Sequence, residues 1–292
     1  MRINHWLVVA LSLALSSALV DGALVAQQRS PGSSEAPAAL PGVRLWFTDS
    51  GGSGVPIVFV HAATGSSRVW EYQVPVFASR GYRVITYDRR GYGRSVADPS
   101  GPQPGTGADD LNALLDHLKI ERFHLVGTAA GGFVAWDYAL SFPKRLRSLV
   151  VANSIGGVQD SEYQQAIQRL RTPDFLAMSP DMRELGPAYR VSNPSGAERW
   201  RELERTARPT AAQPPPQTFR NRVTFALLES ISVPTLLLTG DADMYAPPPV
   251  MRMFAARVKR STSMVIPEAG HSAYWEQPEI FNRAVLDFVK KH

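Results

Sequence analysis

The sequence predicts an α/β fold with a mostly parallel central sheet, helices on both faces and an inserted helical lid. Two continuous apolar runs, residues 146–152 and 235–239, suit strands that are buried on both faces, as in a parallel sheet. From Val43 onward, strand patterns alternate with helical patterns, which is the order that packs helices against both faces of one sheet. Residues 155–231 break this alternation, because they contain helical patterns and no convincing strand. We therefore expect one α/β domain over residues 43–292.

The chain begins with a segment that is typical of exported proteins. Arg2 precedes a nearly continuous apolar run that starts at Trp6, and small residues follow this run. We interpret residues 1–26 as a signal peptide and residues 27–42, which are rich in Ser, Pro and Ala, as a flexible leader. The protein is then expected in the periplasm or outside the cell. An uncleaved membrane anchor is the alternative, although the apolar run is short for a bilayer span.

Composition and charge exclude several kinds of site. The formal net charge is +5, but the basic residues form no dense block and do not interleave with aromatic residues, so we expect no nucleic-acid partner. The absence of cysteine excludes disulfides, a thiolate nucleophile and cysteine metal ligands. Metal-ligand spacing is missing, and the glycines at 91 and 93 lack the third glycine of a dinucleotide fingerprint. We predict no metal, no cofactor, no membrane span after signal cleavage and a small-molecule substrate; the oligomeric state is left open.

Each strand and helix follows from a local pattern. Runs of β-branched and aromatic residues predict strands at residues 43–48, 56–61, 82–88, 123–127, 146–152, 235–239 and, more weakly, 263–266. Apolar residues at helical spacing predict helices at residues 69–79, 109–118, 133–142 and 278–290.

The helical insertion at about residues 155–231 is expected to be a lid. Asn193-Pro194 starts one of its helices, with proline at the first helical position, and residues 208–218 form a proline-rich connector. An insertion between two strands of the sheet would lie over the carboxyl ends of the strands, where such sheets bind ligands.

One short turn has the layout of a nucleophile elbow, in which a strand turns sharply into a helix and raises one side chain into a pocket. The elbow pattern is G-x-S-x-G, and residues 127–131 read Gly-Thr-Ala-Ala-Gly. An apolar run precedes the turn and a helical pattern follows it, as the elbow requires. The central position, where the pattern has the nucleophilic serine, is Ala129, and a methyl group cannot act as a nucleophile.

Four blocks in the chain together resemble the α/β-hydrolase superfamily, and specifically its lid-bearing members of esterase or lactonase type. The blocks are VFVHAATG (58–65), YDRRGYGRS (87–95), the elbow (127–131), and a final pair of GDAD (240–243) and GH (270–271) followed by Glu276 and Pro278. One block alone would be a weak signal. Four blocks in the family's order, each in a fitting strand context, make the resemblance strong from about Val43 to the end of the chain.

The resemblance implies roles for several residues. His271 would be the general base and acid, and Asp243 would accept a hydrogen bond from it, fixing its tautomer and stabilising its protonated form. Asp241 is the competing candidate for the acid, and the family's spacing favours Asp243. The backbone N–H groups of Ala63 and Ala130 would form an oxyanion hole, which needs no particular side chain.

The expected substrate-binding residues lie beside these groups. They are His61, Ala62, Thr128, Tyr274 and Trp275. His61 is expected to organise its loop rather than to act as a base. Ala62 replaces the family's usual glycine, which is a mild change if its φ stays negative.

The alanine at position 129 is the important departure from the family pattern. It is either natural or a Ser→Ala replacement made to trap a ligand, and the retained signal segment without any tag favours a natural alanine. A natural alanine leaves three classes of protein open. The first is an enzyme that uses the His271–Asp243 pair directly, either in hydrolysis or in a lyase or cofactor-free oxygenation reaction. The second is a ligand-binding protein, and the third is a scaffold. The retained pair favours an exported hydrolase of small or medium apolar ester, lactone or carbonyl substrates.

The leader generates the first testable prediction. In a Gram-negative host, the mature protein is expected to begin between Leu19 and Arg29 and to occur in the periplasm or the medium. Cell fractionation followed by intact-mass measurement checks this expectation. A full-length chain in the cytoplasm would contradict it.

Overall fold

The computed structural model describes residues 34–98, 100–101, 105–208 and 218–292. The signal peptide predicted at residues 1–26 and the first part of the predicted leader lie outside the described residues. A nine-stranded sheet forms the centre of the described chain. Its strands are β1 (Ser34–Leu40), β2 (Val43–Asp49), β3 (Pro56–Val60), β4 (Arg83–Tyr87), β5 (Val96–Ala97), β6 (Phe123–Thr128), β7 (Leu146–Ala152), β8 (Thr235–Gly240) and β9 (Ser261–Ile266).

The order of the strands confirms a mostly parallel sheet. Neighbouring strands run β1-β2-β4-β3-β6-β7-β8-β9, and β5 also pairs with β2. All pairs from β4 to β9 are parallel, whereas the pairs that involve β2 are antiparallel. Every residue of β6 and β8 is buried, as expected for strands at the centre of a parallel sheet, and β8 contains the apolar run predicted at residues 235–239.

Helices cover both faces of the sheet. They are α1 (Val74–Ser79), α2 (Gly107–His117), α3 (Ala130–Ser141), α4 (Ser161–Leu170), α5 (Pro173–Ala177), α6 (Pro180–Glu184), α7 (Pro187–Ser192), α8 (Pro194–Arg205), α9 (Phe225–Leu228), α10 (Pro248–Ala255), α11 (Ala273–Glu276) and α12 (Pro278–Val289), with 3-10 helices at Ser67–Trp70 and Pro143–Arg145. One core layer joins the sheet to α2, α3 and α10, and the other joins it to α1, α11 and α12. Burial of these two apolar layers is the main force that holds the helices on the sheet.

The prediction of a flexible leader through residue 42 is wrong for residues 34–42. β1 pairs with β2 along its whole length, and Gly42, with φ of 72°, completes the tight turn between the two strands. Ala38 is fully buried against the core. The sequence analysis missed this strand because its small residues have low β propensity. Pro37 is tolerated within the strand because β1 lies at the edge of the sheet.

The helix predicted at residues 69–79 is also wrong as a single element. The structure has the 3-10 helix Ser67–Trp70 and then α1, which carries Pro75 in its first turn. A continuous helix through this point would lose the hydrogen bond of the missing proline N–H and would place the ring against the preceding turn. Proline therefore starts α1 and separates it from the segment before it.

Between β7 and β8 the described residues contain six helices, α4–α9, and no strand. Proline occupies the first turn of four of them, at residues 173, 180, 187 and 194, so that each proline marks a new helix after a short turn. Gly186, between α6 and α7, packs this insertion against the loop that follows β9. Within the described ranges, no helix combines the length and apolarity needed to cross a bilayer.

Candidate active site

The turn from β6 into α3 has the backbone geometry of an elbow. Ala129 has φ of 49° and ψ of −116°, a conformation that costs a residue with a side chain about 1–3 kcal/mol. Surrounding hydrogen bonds hold it: Ala129 N donates to Ala152 O at 2.9 Å, and Ser154 Oγ donates to Ala129 O at 2.6 Å. The elbow is therefore retained in full, although its apex carries only a methyl group.

Glycine at position 131 explains how the helix approaches the neighbouring strand so closely. A Cβ atom at Gly131 would lie 2.1 Å from Val60 O and 2.9 Å from His61 O. The start of α3 is thus in backbone contact with the end of β3 and the loop that carries Ala63. This contact brings Ala130 and Ala63, the two residues expected to form the oxyanion hole, to the same edge of the sheet.

The two expected oxyanion donors have no acceptor within the described part of the chain. Ala130 opens α3, and the first N–H groups of a helix have no partner within the helix. Among the hydrogen bonds of the described residues, neither Ala130 N–H nor Ala63 N–H has an acceptor. Both residues are partly exposed, so these N–H groups can act as hydrogen-bond donors to a ligand.

The acid of the site is Asp243, in the loop after β8. Its side chain is buried, and its Oδ1 accepts hydrogen bonds from Tyr245 N at 2.8 Å and Ala246 N at 2.9 Å. Asp241, the competing candidate, is exposed and accepts from Ala269 N at 3.3 Å. The structure therefore places Asp243, and not Asp241, in contact with the histidine.

His271 and Asp243 form a tight buried pair. His271 Nδ1 lies 2.9 Å from each carboxylate oxygen of Asp243. Burial alone would lower the pKa of His271, but the Asp243 carboxylate, with a smaller contribution from Glu184, raises that pKa above its ordinary value. Burial opposes ionisation of Asp243 as well, yet the His271 charge and the hydrogen bonds to the carboxylate hold its pKa below the ordinary value. This arrangement keeps Nδ1 protonated and directs Nε2 away from the carboxylate.

Asn153 is a functional residue that sequence reasoning missed. It follows β7 directly, has φ of 50°, and is fully buried. Its Nδ2 donates to Asp243 Oδ2 at 3.0 Å and to Gly270 O at 3.1 Å, so one amide orients the acid and also fixes the residue before His271. A polar residue placed directly after a buried strand was the available sequence signal.

Glu276 fixes the histidine loop from the other side. Its carboxylate accepts from Gly270 N at 2.9 Å, from Ser272 N at 3.2 Å and from Gly186 N at 2.6 Å. Burial raises the pKa of Glu276 to about 7, although these backbone N–H groups favour the ionised form. Since Gly186 belongs to the insertion, Glu276 joins the insertion to both neighbours of His271.

Two of the predicted substrate-binding residues instead organise the loop after β3. His61 is fully buried: its Nε2 accepts from Arg89 N at 2.9 Å, which leaves Nδ1 to donate to Ala62 O at 2.7 Å. Both ring nitrogens are therefore used within the protein, which fits the predicted loop-organising role of His61 better than a hydrogen bond from its ring to a substrate. The Ala62 side chain is also buried, and φ is not positive at this position, so alanine replaces glycine there without backbone strain.

The other three predicted substrate-binding residues lie in the interior. Thr128 is fully buried at the end of β6. Tyr274 packs on Trp70 with ring centroids 4.8 Å apart, and Trp275 donates through Nε1 to Gly196 O at 3.2 Å in the insertion. Each is nearly inaccessible, so these side chains pack within the protein, and their contact with a substrate stays a prediction.

A cavity of about 390 Å³ lies beside the elbow. Its walls are mainly apolar, and they include Phe133 one turn into α3 and Ile155, which follows the Ser154 that holds Ala129. Arg171 lines the cavity and lies 5.5 Å from the ring centroid of Tyr245, which in turn stacks at 4.4 Å on His271. The lining does not include Ala129 or His271, so the cavity adjoins the reacting groups rather than enclosing them.

The electrostatics of the pair generate the second testable prediction. Because the folded pKa of His271 lies above its unfolded value, its protonation stabilises the fold below an unfolded pKa of about 6.5, and this contribution is lost as pH rises through the folded pKa. In Asp243→Asn the burial effect remains without the carboxylate, so the His271 pKa is expected below its ordinary value. An NMR titration of the histidine ring protons measures the His271 pKa in the parent and in Asp243→Asn.

The matched control is His124, a histidine in β6 whose pKa burial lowers to about 4. Its titration is expected to be the same in both proteins. An unchanged His271 pKa in Asp243→Asn would contradict the account of the pair.

Comparisons with known proteins agree with this geometry. Residues 55–278 match the family model of the alpha/beta hydrolase fold. A 2-hydroxy-6-oxononadienedioate/2-hydroxy-6-oxononatrienedioate hydrolase of Burkholderia vietnamiensis is 29% identical over 85% of this chain and 92% of its own length. A thermophilic esterase from Thermogutta terrifontis superposes with a TM-score of 0.74 at 28% identity, covering 88% of this chain and 98% of the esterase. Est816, described as an N-acyl homoserine lactone degrading enzyme, superposes with a TM-score of 0.69 at 26% identity, covering 87% of this chain and 100% of its own. The sheet order, the elbow, the buried His–Asp pair and the family match together show that this chain belongs to the alpha/beta hydrolase fold family of enzymes.

Proposed function

We propose that this protein is an exported hydrolase that uses water directly as the nucleophile. Small or medium apolar esters, lactones or related carbonyl compounds are the proposed substrates. The observation that carries the proposal is the His271–Asp243 pair, which is buried and fully oriented beside an elbow whose apex is a methyl group. Such a pair can activate a water molecule as well as a serine hydroxyl.

The proposed reaction begins with proton transfer to His271. Nε2 takes a proton from a water molecule as the water oxygen adds to the substrate carbonyl carbon. The imidazolium that forms is stabilised by Asp243, whose carboxylate stays ionised because its pKa is low. The negative charge that develops on the carbonyl oxygen is stabilised by the N–H groups of Ala63 and Ala130. Collapse of the tetrahedral intermediate then breaks the bond to the leaving oxygen. The leaving oxygen gains one proton overall and His271 gives up the one it accepted, so that His271 returns to its neutral form.

The choice of substrate class rests on the cavity and on the relatives. An apolar cavity of about 390 Å³ suits a small or medium apolar body. The similar proteins named above include an esterase and a lactone-degrading enzyme, and these names support an ester or a lactone as the reacting group. None of them identifies the compound.

The insertion is proposed to act as the lid of this site. Its Phe175 packs edge-on to Tyr245 at 4.8 Å, and Tyr245 contacts His271. Glu184 O accepts from Ser272 N at 3.0 Å. These contacts of α5 and α6 with the neighbours of His271 support a lid role, in which the insertion would exclude bulk water from the reaction. Export is proposed from the leader sequence alone.

Restoring the missing hydroxyl generates the third testable prediction. Ala129→Ser adds one oxygen at the apex of a retained elbow, so the variant is expected to react with a fluorophosphonate probe, whereas the parent is not. Adding His271→Ala should abolish the labelling, because an unactivated serine hydroxyl is a poor nucleophile. Gel fluorescence and intact mass measure the labelling. A folded Ala129→Ser protein that stays unlabelled would contradict the assigned geometry.

The parent protein supplies the fourth testable prediction. A screen against esters and lactones is expected to show turnover, and His271→Ala should lower kcat by a factor of about 10² to 10⁴, as for the loss of a general base. His117→Ala, which changes a histidine at the end of α2, is the matched control and should keep full activity. Ligand binding without any turnover would show instead that the protein is a binding protein on a hydrolase fold.

A further inference from the structure

One buried acid beside the site has no role in the reaction as described so far. Glu184, the last residue of α6, is 5% exposed, and its Oε2 has no hydrogen-bond partner among the described residues. A buried carboxyl oxygen without a partner loses its hydration and gains no hydrogen bond in return, which is costly for a neutral group and more so for a charged one. A group of this kind calls for a functional explanation.

The backbone of Glu184 is fixed to the catalytic loop. Glu184 O accepts from Ser272 N at 3.0 Å, and Ser272 is the residue directly after His271. On the other side of the histidine, a Cβ atom at Gly270 would lie 2.9 Å from the same carbonyl oxygen. The insertion therefore holds Glu184 against both neighbours of His271.

Burial favours the neutral form of the Glu184 carboxyl. Burial raises its pKa above the ordinary value; His271 and Arg183 oppose that rise, whereas Asp243 and Glu204 add to it. The charge of Glu184 in turn raises the pKa of His271. The site thus contains an ionised carboxylate bound to the histidine and a second carboxyl that is biased towards protonation.

We propose that Glu184 is a further catalytic residue of this site, the general acid that protonates the leaving oxygen. This inference rests on the proposed function, in which His271 activates water. Its basis is the juxtaposition of an unpartnered, buried carboxyl in the insertion with the histidine of the pair. Two titratable groups with environments that bias one towards the base and the other towards the acid are a recurrent arrangement in hydrolytic sites.

The step balances without any further reagent. His271 Nε2 accepts one proton from water while the water oxygen forms the new bond to the carbonyl carbon. As the bond between that carbon and the leaving oxygen breaks, Glu184 gives its proton to the leaving oxygen and becomes a carboxylate. The imidazolium of His271 then returns a proton to Glu184, directly or through a water molecule. One water is consumed, an acid and an alcohol are released, and both residues regain their starting forms.

The leaving group provides a sharp test. p-Nitrophenolate departs as a stable anion and needs no proton, whereas the alkoxide of an alkyl ester does. Glu184→Gln is therefore expected to lower kcat/KM for ethyl butyrate by a factor of about 10² to 10⁴, the usual range for general acid–base catalysis, and to change kcat/KM for p-nitrophenyl butyrate by less than about threefold. Stopped assays with the mature parent and the mature variant measure kcat/KM for both esters.

Controls separate this role from a structural one. Glu204→Gln changes another carboxyl that acts on Glu184, but on α8, and is expected to leave both esters unaffected. An equal loss on both esters in folded Glu184→Gln would overturn the acid role and indicate a residue that only positions the loop. If that variant fails to fold, measurements on the parent still test the acid role. For a series of butyrate esters, kcat/KM of the parent should depend only weakly on the pKa of the leaving alcohol. A steep dependence would overturn the proposal.

His271→Ala separates the proposed function from the inference about Glu184. It should reduce hydrolysis of both esters, whereas Glu184→Gln reduces only that of the alkyl ester. If His271→Ala reduces both and Glu184→Gln alters neither, the inference about Glu184 fails and the proposed function stands. Full activity of His271→Ala, or a parent without turnover of either ester, would overturn both.

Discussion

The site depends on one buried carboxylate, that of Asp243. A charge in the interior is costly unless hydrogen bonds and an opposite charge compensate for it. Here the backbone N–H groups of Tyr245 and Ala246, the amide of Asn153 and the ring of His271 supply that compensation. These donors come from three loops at the carboxyl edge of the sheet, so the position of Asp243 ties together the loops after β7, β8 and β9. The orientation of His271 follows from this arrangement.

A second constraint is the backbone at Ala129. Its φ of 49° is unfavourable for alanine, yet the contacts with Ala152 and Ser154 and the close approach of Gly131 to β3 enforce it. The surrounding fold therefore determines the elbow, and the identity of the side chain at its apex does not. This explains how the backbone donors of the oxyanion hole can remain when the hydroxyl is absent.

Much of the fold could be predicted from the sequence, because continuous apolar runs and the elbow are local signals. The same was true of Asp243 and His271, which follow strands in characteristic motifs. What failed depended on tertiary contacts: β1 is a strand only because β2 pairs with it, and Tyr274 and Trp275 are buried because α12 and the insertion cover them. Glu184 could not be predicted at all, since the histidine loop that it meets lies far along the chain.

The central claim is hydrolysis by water alone, without a covalent intermediate. Rapid-quench intact-mass measurement of the parent during turnover of p-nitrophenyl butyrate tests it most directly. With water as the nucleophile, p-nitrophenol is expected to form linearly from the first turnover while the protein keeps its unmodified mass. A burst of p-nitrophenol together with a butyrylated protein would contradict the account, because it would show that another side chain of this chain acts as the nucleophile.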